Sequence, residues 1–155
     1  MVISKWESPP WIAVGGENRL FETQNDVYVF TSSGTGAMEA AIVNTLSPGD
    51  KVLCATTGAF GDRFGHIAKV FGAQVITIKS PLGTAVNPNK LWDALETNPD
   101  VKAVLITHNE TSTGVTNDLE SIAKIVKENF GKLLLVDGIS SVCSLPLRTD
   151  DWHCD

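Results

Sequence analysis

From Asp26 onward the chain alternates between two hydrophobic rhythms. Short, nearly unbroken apolar runs occupy residues 27–30, 51–55, 74–78, 101–107 and 132–136, the pattern of strands buried on both faces. Between them the apolar positions recur at helical spacing. A helix is predicted over residues 36–46, and another over 60–71 with Phe64, Ile67, Ala68 and Phe71 on one face. Leu91, Trp92 and Leu95 mark a third, and Leu119, Ile122, Ala123 and Val126 a fourth. The punctuation agrees. Ser47-Pro48-Gly49-Asp50 stops the first helix, Gly72 sits where a left-handed C′ residue belongs, and Asn87-Pro88 offers an N-cap followed by proline at N1. Asn98-Pro99 ends the third helix, and Asn117 with Glu120 has the spacing of a capping box for the fourth. Strand and helix in strict alternation predict an α/β fold, a mostly parallel sheet with helices on both faces. Residues 1–25, broken by Pro9-Pro10-Trp11 and Gly15-Gly16, read as an irregular N-terminal arm. Residues 145–155 lead toward a further strand.

Composition narrows the function. With 155 residues, 43% of them hydrophobic, the chain can bury one ordinary core. A net charge of −6 argues against a nucleic-acid or anionic-membrane partner. No apolar run reaches the ~18 residues needed to span a bilayer, and residues 1–10 lack the apolar stretch of a signal peptide. Cys54, Cys143 and Cys154 are odd in number and dispersed, which predicts reduced thiols and a cytoplasmic setting.

Two segments carry candidate chemistry. Ser33-Gly34-Thr35-Gly36 opens a helix after a strand, where free amides and the positive helix end can cradle a phosphate. Asp137 ends the last apolar run, a place for a carboxylate that meets a cation in a crevice, such as a protonated ring nitrogen or a metal. Phosphate at one point and a protonated ring nitrogen at another describe pyridoxal 5′-phosphate. Simpler readings compete: a small-residue turn without a ligand, and an Asp capping the Asp137-Gly138 turn. A dinucleotide fingerprint fails, because Glu39 stands at its third glycine and no acidic residue ends the following strand. A nucleotide-hydrolase loop fails for lack of Gly-Lys-Ser/Thr. His108-Asn109-Glu110 has the spacing of a zinc deaminase but no Pro-Cys-x-x-Cys follows. His66 and His153 read as surface residues.

Five ordered motifs then become informative together: residues 31–40 around Ser33, Pro48-Gly49-Asp50, residues 58–63 around Phe60, residues 107–114 around Thr111, and residues 134–141 around Asp137. From about Leu20 to Asp155 the chain resembles the class V aminotransferases, especially the alanine–glyoxylate and serine–glyoxylate group of pyridoxal-phosphate fold type I. Some members of that group carry a soluble-hydrogenase label, but no cysteine pair here could hold a metal cluster. The resemblance implies that Ser33, Gly34 and Thr35 hold the cofactor phosphate and that Phe60 stacks on the pyridine ring. It places Thr111 near the ring oxygen, Asp137 on the pyridinium nitrogen and Ile139 on the ring face opposite Phe60. The reaction implied is amino transfer between a small amino acid, such as serine or alanine, and the 2-oxo acid glyoxylate, in a homodimer.

The same resemblance implies what these residues lack. The Schiff-base lysine belongs to a Gln-Lys motif expected beyond Asp155, so no catalytic residue is assigned. The nine lysines present all fall elsewhere. Residues 26–155 are read as a partial large domain, without the small C-terminal domain and its substrate-binding arginine. Arg63 is expected in a structural ion pair instead. A non-catalytic remnant is the alternative, and a nucleotide-binding α/β module a more distant one. Fold type I sheets run in the order 3-2-4-5-6-7-1. Four strands are therefore expected to form a contiguous sheet, with residues 26–31 detached or imperfectly re-paired and the Ser33–Gly36 cradle carried away from Asp137. Open, aggregation-prone edges follow from that arrangement.

Overall fold

The computed structural model describes residues 17–29 and 31–155. After a single helical turn, α1 (Glu17–Leu20), the order is α2 (Gly34–Thr45), β1 (Lys51–Thr56), α3 (Ala59–Val70), β2 (Gln74–Lys79), α4 (Pro88–Thr97) and β3 (Val101–Thr107). A two-residue hairpin, β4 (Asn109–Glu110) with β5 (Val115–Thr116), precedes α5 (Leu119–Ala123), which runs into a π-helical stretch, Lys124–Asn129; β6 (Leu133–Asp137) follows.

The sheet order is β2-β1-β3-β6, all parallel. This is the 3-2-4-5 portion of the expected order. Alternate residues feed two cores. Leu53, Val104, Ile106 and Leu134 face α4 and α5, where they meet Leu91, Leu95, Leu119 and Ile122. Val52, Cys54, Leu105 and Leu135 face α2 and α3, where they meet Met38, Ile42, Phe64 and Ile67. Burial on both faces is why β1, β3 and β6 read as largely apolar, whereas the edge strand β2 has no fully buried residue.

Residues 26–29 form no strand, contrary to the buried strand expected over 27–30, and Val29 is 60% exposed; Phe30 lies outside the described residues. No described strand pairs with this segment. Without a partner a strand must leave its backbone groups to solvent, and its apolar content alone does not order it. Residues 21–25 instead attach to the far end of the chain. Thr149 N donates to Phe21 O (3.3 Å), Thr23 Oγ1 to Asp150 Oδ1 (2.5 Å) and Gln24 N to Asp150 Oδ2 (2.7 Å). The segments around Pro9 and Gly15 lie outside the described residues.

Two local expectations change. The cap of α5 is Asp118, whose carboxylate accepts from Ser121 N at 3.1 Å, not Asn117. Asn117 is buried and better used: it accepts from Val86 N (2.8 Å) and donates to Thr107 O (2.8 Å). Asn87 and Pro88 do start α4, and Gly72 ends α3 with φ +91°.

Candidate functional site

The first turn of α2 is built from small residues, and the side chains of Ser32 and Ile139 crowd its two glycines. A Cβ on Gly36 would lie 1.9 Å from Ser32 Oγ, and one on Gly34 would lie 2.4 Å from Ile139 Cδ1. Ser33 is the N-cap, with extended backbone and its hydroxyl facing Gly36 N at 3.5 Å. The amides of Gly34 and Thr35 belong to the first helical turn, where no carbonyl four residues back can accept them. Among the described residues no other group accepts them either. This is a donor set for an anion.

Asp137 lies beside Thr107 in the β3–β6 register and is only 9% exposed. Its Oδ1 accepts from Ile139 N (3.1 Å) and its Oδ2 from Thr107 Oγ1 (3.3 Å). Burial pushes the Asp137 carboxyl above the ordinary carboxylate range, partly offset by those two bonds, and nearby Glu110 adds a like charge. A cation brought to this carboxylate would relieve that strain.

The cradle has not moved away from Asp137. Ser33, Gly34, Asp137 and Ile139 line one cavity of about 330 Å³, with Tyr28 and Phe64. The reason is that α2 is positioned by its own apolar side, where Met38, Ala41 and Ile42 are buried against α3 and the sheet. A strand before α2 is not needed to hold it there. Ile139, itself 63% exposed, reaches over Gly34.

Thr35, Phe60 and Thr111 do not line this cavity. Thr35 and Phe60 are joined through Arg63, whose Nη1 donates to Thr35 Oγ1 (3.3 Å) and whose guanidinium carbon lies 5.2 Å from the Phe60 ring centroid. That replaces the expected structural ion pair; Arg63 makes none among the described residues. Because Arg63 is the donor to Thr35, the Thr35 hydroxyl hydrogen is left to point elsewhere. Thr111 is exposed on the β4–β5 turn.

Sequence reasoning passes over Glu110, which is fully buried. Burial opposes its ionisation, but bonds from the Ser112 hydroxyl and from the amides of Gly61, Phe60 and Ser112 outweigh it and hold the carboxyl below its ordinary range. The available signal is Gly58, an N-cap without a side chain, which leaves the first amides of α3 in need of an acceptor. His108 is also buried, edge-on to Trp152 with ring centroids 6.2 Å apart, and its Nδ1 has no partner among the described residues. Burial lowers its pKa. No cluster of three His, Cys, Asp or Glu among the described residues is placed to hold a metal. Nor is any helix among them long and apolar enough to cross a membrane.

Comparison with known proteins places this geometry in context. A family model described as aminotransferase class-V matches residues 18–155. The chain is 42% identical over 138 residues to the soluble hydrogenase small subunit of Synechococcus sp., covering 88% of this chain and 36% of that protein. It is 40% identical over 136 residues to the serine–glyoxylate aminotransferase of Methylorubrum extorquens, covering 86% and 34%. The crystal structure of alanine–glyoxylate aminotransferase from Nostoc sp. superposes with a TM-score of 0.83 at 37% identity, covering 89% of this chain and 36% of that one. The chain thus spans about a third of the length of the curated relatives it matches.

Proposed function

Because this chain belongs to the class V aminotransferase family, we propose that residues 26–155 form part of the large domain of a pyridoxal-phosphate aminotransferase. The reaction proposed is amino transfer between a small amino acid, such as serine or alanine, and glyoxylate, the chemistry named for relatives in Methylorubrum and Nostoc. One observation carries the reading: Ser33 and Gly34 at the start of α2, where the Gly34 amide has no acceptor among the described residues, line the same cavity as the buried carboxylate of Asp137. A ligand anionic at one end and cationic at the other fits that pair.

In this proposal Ser33, Gly34 and Thr35 hold the phosphate oxygens with a hydroxyl and backbone N–H groups. Asp137 keeps the ring nitrogen protonated through a charge-assisted bond, of the order of 1.5–3 kcal/mol. Ile139 would pack on the ring from within the cavity, and Phe60 and Thr111, which stand outside its lining, would meet the ring from α3 and the β4–β5 turn. When bound, the ring supplies an electron sink for charge developing at the substrate α-carbon. No lysine lines the cavity among the described residues, and this proposal assigns no proton-moving lysine. A homodimer and a cytoplasmic setting belong to the same proposal.

The test uses pyridoxamine 5′-phosphate, which cannot form Schiff bases with stray lysines. The chain should bind it at least tenfold more tightly than pyridoxamine, and Asp137→Asn should weaken binding by about the same factor. Equal binding with and without the phosphate, or an unaffected Asp137→Asn, would sink the reading.

A further inference from the structure

Two of the sequence motifs are physically one unit, and Glu110 makes them so. The first turn of α3 presents three successive amides, those of Ala59, Phe60 and Gly61, while its N-cap, Gly58, has no side chain to accept any of them. The acceptors come from the β4–β5 hairpin. Glu110 Oε2 accepts from Phe60 N and Gly61 N, both at 3.0 Å, and Ser112 Oγ accepts from Ala59 N at 2.9 Å. Glu110 Oε1 accepts in turn from Ser112 Oγ (2.6 Å) and Ser112 N (3.2 Å). The approach is so close that a Cβ on Gly58 would lie 2.5 Å from Ser112 Oγ and 2.6 Å from Glu110 Cγ. Thr113 Oγ1 adds a further bond to Thr57 O at 3.2 Å.

We infer that Glu110 is a positioning residue: by clamping the first turn of α3 to the hairpin, it fixes Phe60 and its own neighbour Thr111 relative to each other. This rests on the pyridoxal-phosphate reading, in which those two residues meet the ring from separate segments. The carboxylate also fills the positive end of α3 from within the protein. The start of α2 is then the helix end left for a ligand phosphate, and the two helix ends do not compete for it. A cap confined to stabilising α3 would have no effect on cofactor affinity beyond its effect on folding.

That difference sets the experiment. Amide hydrogen exchange and pyridoxamine 5′-phosphate binding are measured on the chain, on Glu110→Gln, on Ser112→Ala and on Asn87→Ala, the last removing the distant cap of α4. Glutamine keeps the size of Glu110 but turns an NH₂ group toward N–H donors. Glu110→Gln should speed exchange at Phe60 and Gly61 at least tenfold and weaken binding at least tenfold. Ser112→Ala should weaken it about threefold. Asn87→Ala should lower thermal stability without changing affinity. Binding by Glu110→Gln within twofold of the parent, or an equal loss in Asn87→Ala, overturns the inference. If Glu110→Gln does not fold, unchanged affinity in Ser112→Ala overturns it. If the parent itself does not bind, the functional reading fails, and unaltered exchange at Phe60 and Gly61 in Glu110→Gln is the separate result that overturns the clamp.

Discussion

Gly34 and Gly61 are both crowded where a side chain would begin, but their neighbours differ in kind. The atom in the way at Gly34 is the tip of the exposed Ile139 side chain, which would lie 2.4 Å from an added Cβ. At Gly61 it is Thr56, whose Oγ1 would lie at 2.7 Å and whose backbone Cα at 3.0 Å, at a fully buried residue. Ile139 can swing away; the β1 backbone cannot. Gly34→Ala should therefore cost less than about 1 kcal/mol in urea unfolding and Gly61→Ala about 1–3 kcal/mol. Only the first should reduce phosphate-ester binding disproportionately to its effect on stability. Asp137 gives a second prediction. Its folded pKa is raised by burial, so the ionised form disfavours the fold above that pKa and the penalty disappears as pH falls below the unfolded value near 3.8. Asp137→Asn should be more stable than the parent at pH 7, with the difference vanishing below about pH 4, as thermal melts across that range would show. Lower stability of the variant at pH 7 would contradict the assignment. At this scale Ser33, Gly34 and Asp137 are legible in the sequence, because small residues opening a helix and an acid ending a buried strand have local signatures. Glu110 is not: its acceptor role depends on amides 49 and 50 residues away, and its H-x-E spacing points toward metals instead.

Elements here are joined by buried side chains more than by their connecting loops. Asn117 holds the segment before α4 through Val86 N, the end of β3 through Thr107 O, and the turn after β1 through Thr57 Oγ1 (3.4 Å). Asn117→Ala would leave a buried donor and a buried acceptor unpaired and should cost about 2–4 kcal/mol; a denaturant midpoint close to the parent's would show that the site relaxes or admits water. The capping pattern assigns Asn117 a surface task, because an Asn three residues before a Glu carries no sign of what a folded loop will bring beside it. Strands are easier to read. Runs such as residues 103–107 are buried at every position, and burial on both faces leaves no room for polar alternation. Residues 27–29 show the limit: their apolar character is legible, but whether they form a strand is decided by a neighbour, not by themselves.

Across the whole molecule, the described start and the final turns of the chain hold each other through Asp150. The Thr23 hydroxyl and the Gln24 amide keep this carboxyl below its ordinary range, with Asn25 adding a bond at 3.1 Å. A depressed folded pKa means that the clasp contributes above the unfolded value near 3.8 and is lost as pH falls through the folded one. Asp150→Ala should accelerate proteolytic cleavage within residues 21–28 at pH 7, and the difference from the parent should shrink below about pH 4. Equal cleavage at pH 7 would mean that other contacts hold this segment. A last expectation concerns covalent chemistry. With no lysine lining the cavity among the described residues, borohydride reduction in the presence of pyridoxal 5′-phosphate should leave no single lysine stoichiometrically labelled, as mass mapping would reveal.

Lys51 pairs with Asp100 and Lys102 with Asp50, each at 2.6 Å, and all four residues sit at the amino ends of β1 and β3. Gly34, Phe60 and Asp137 belong to the opposite rim, about 20 Å away across strands of six or seven residues. The two rims are therefore separable for an engineer. Charge swaps or a surface tether at the rim of Lys51 and Lys102 can tune solubility and orientation on a support while the cavity stays facing the medium. Directed evolution of the cavity can proceed on a frame whose other end is left untouched.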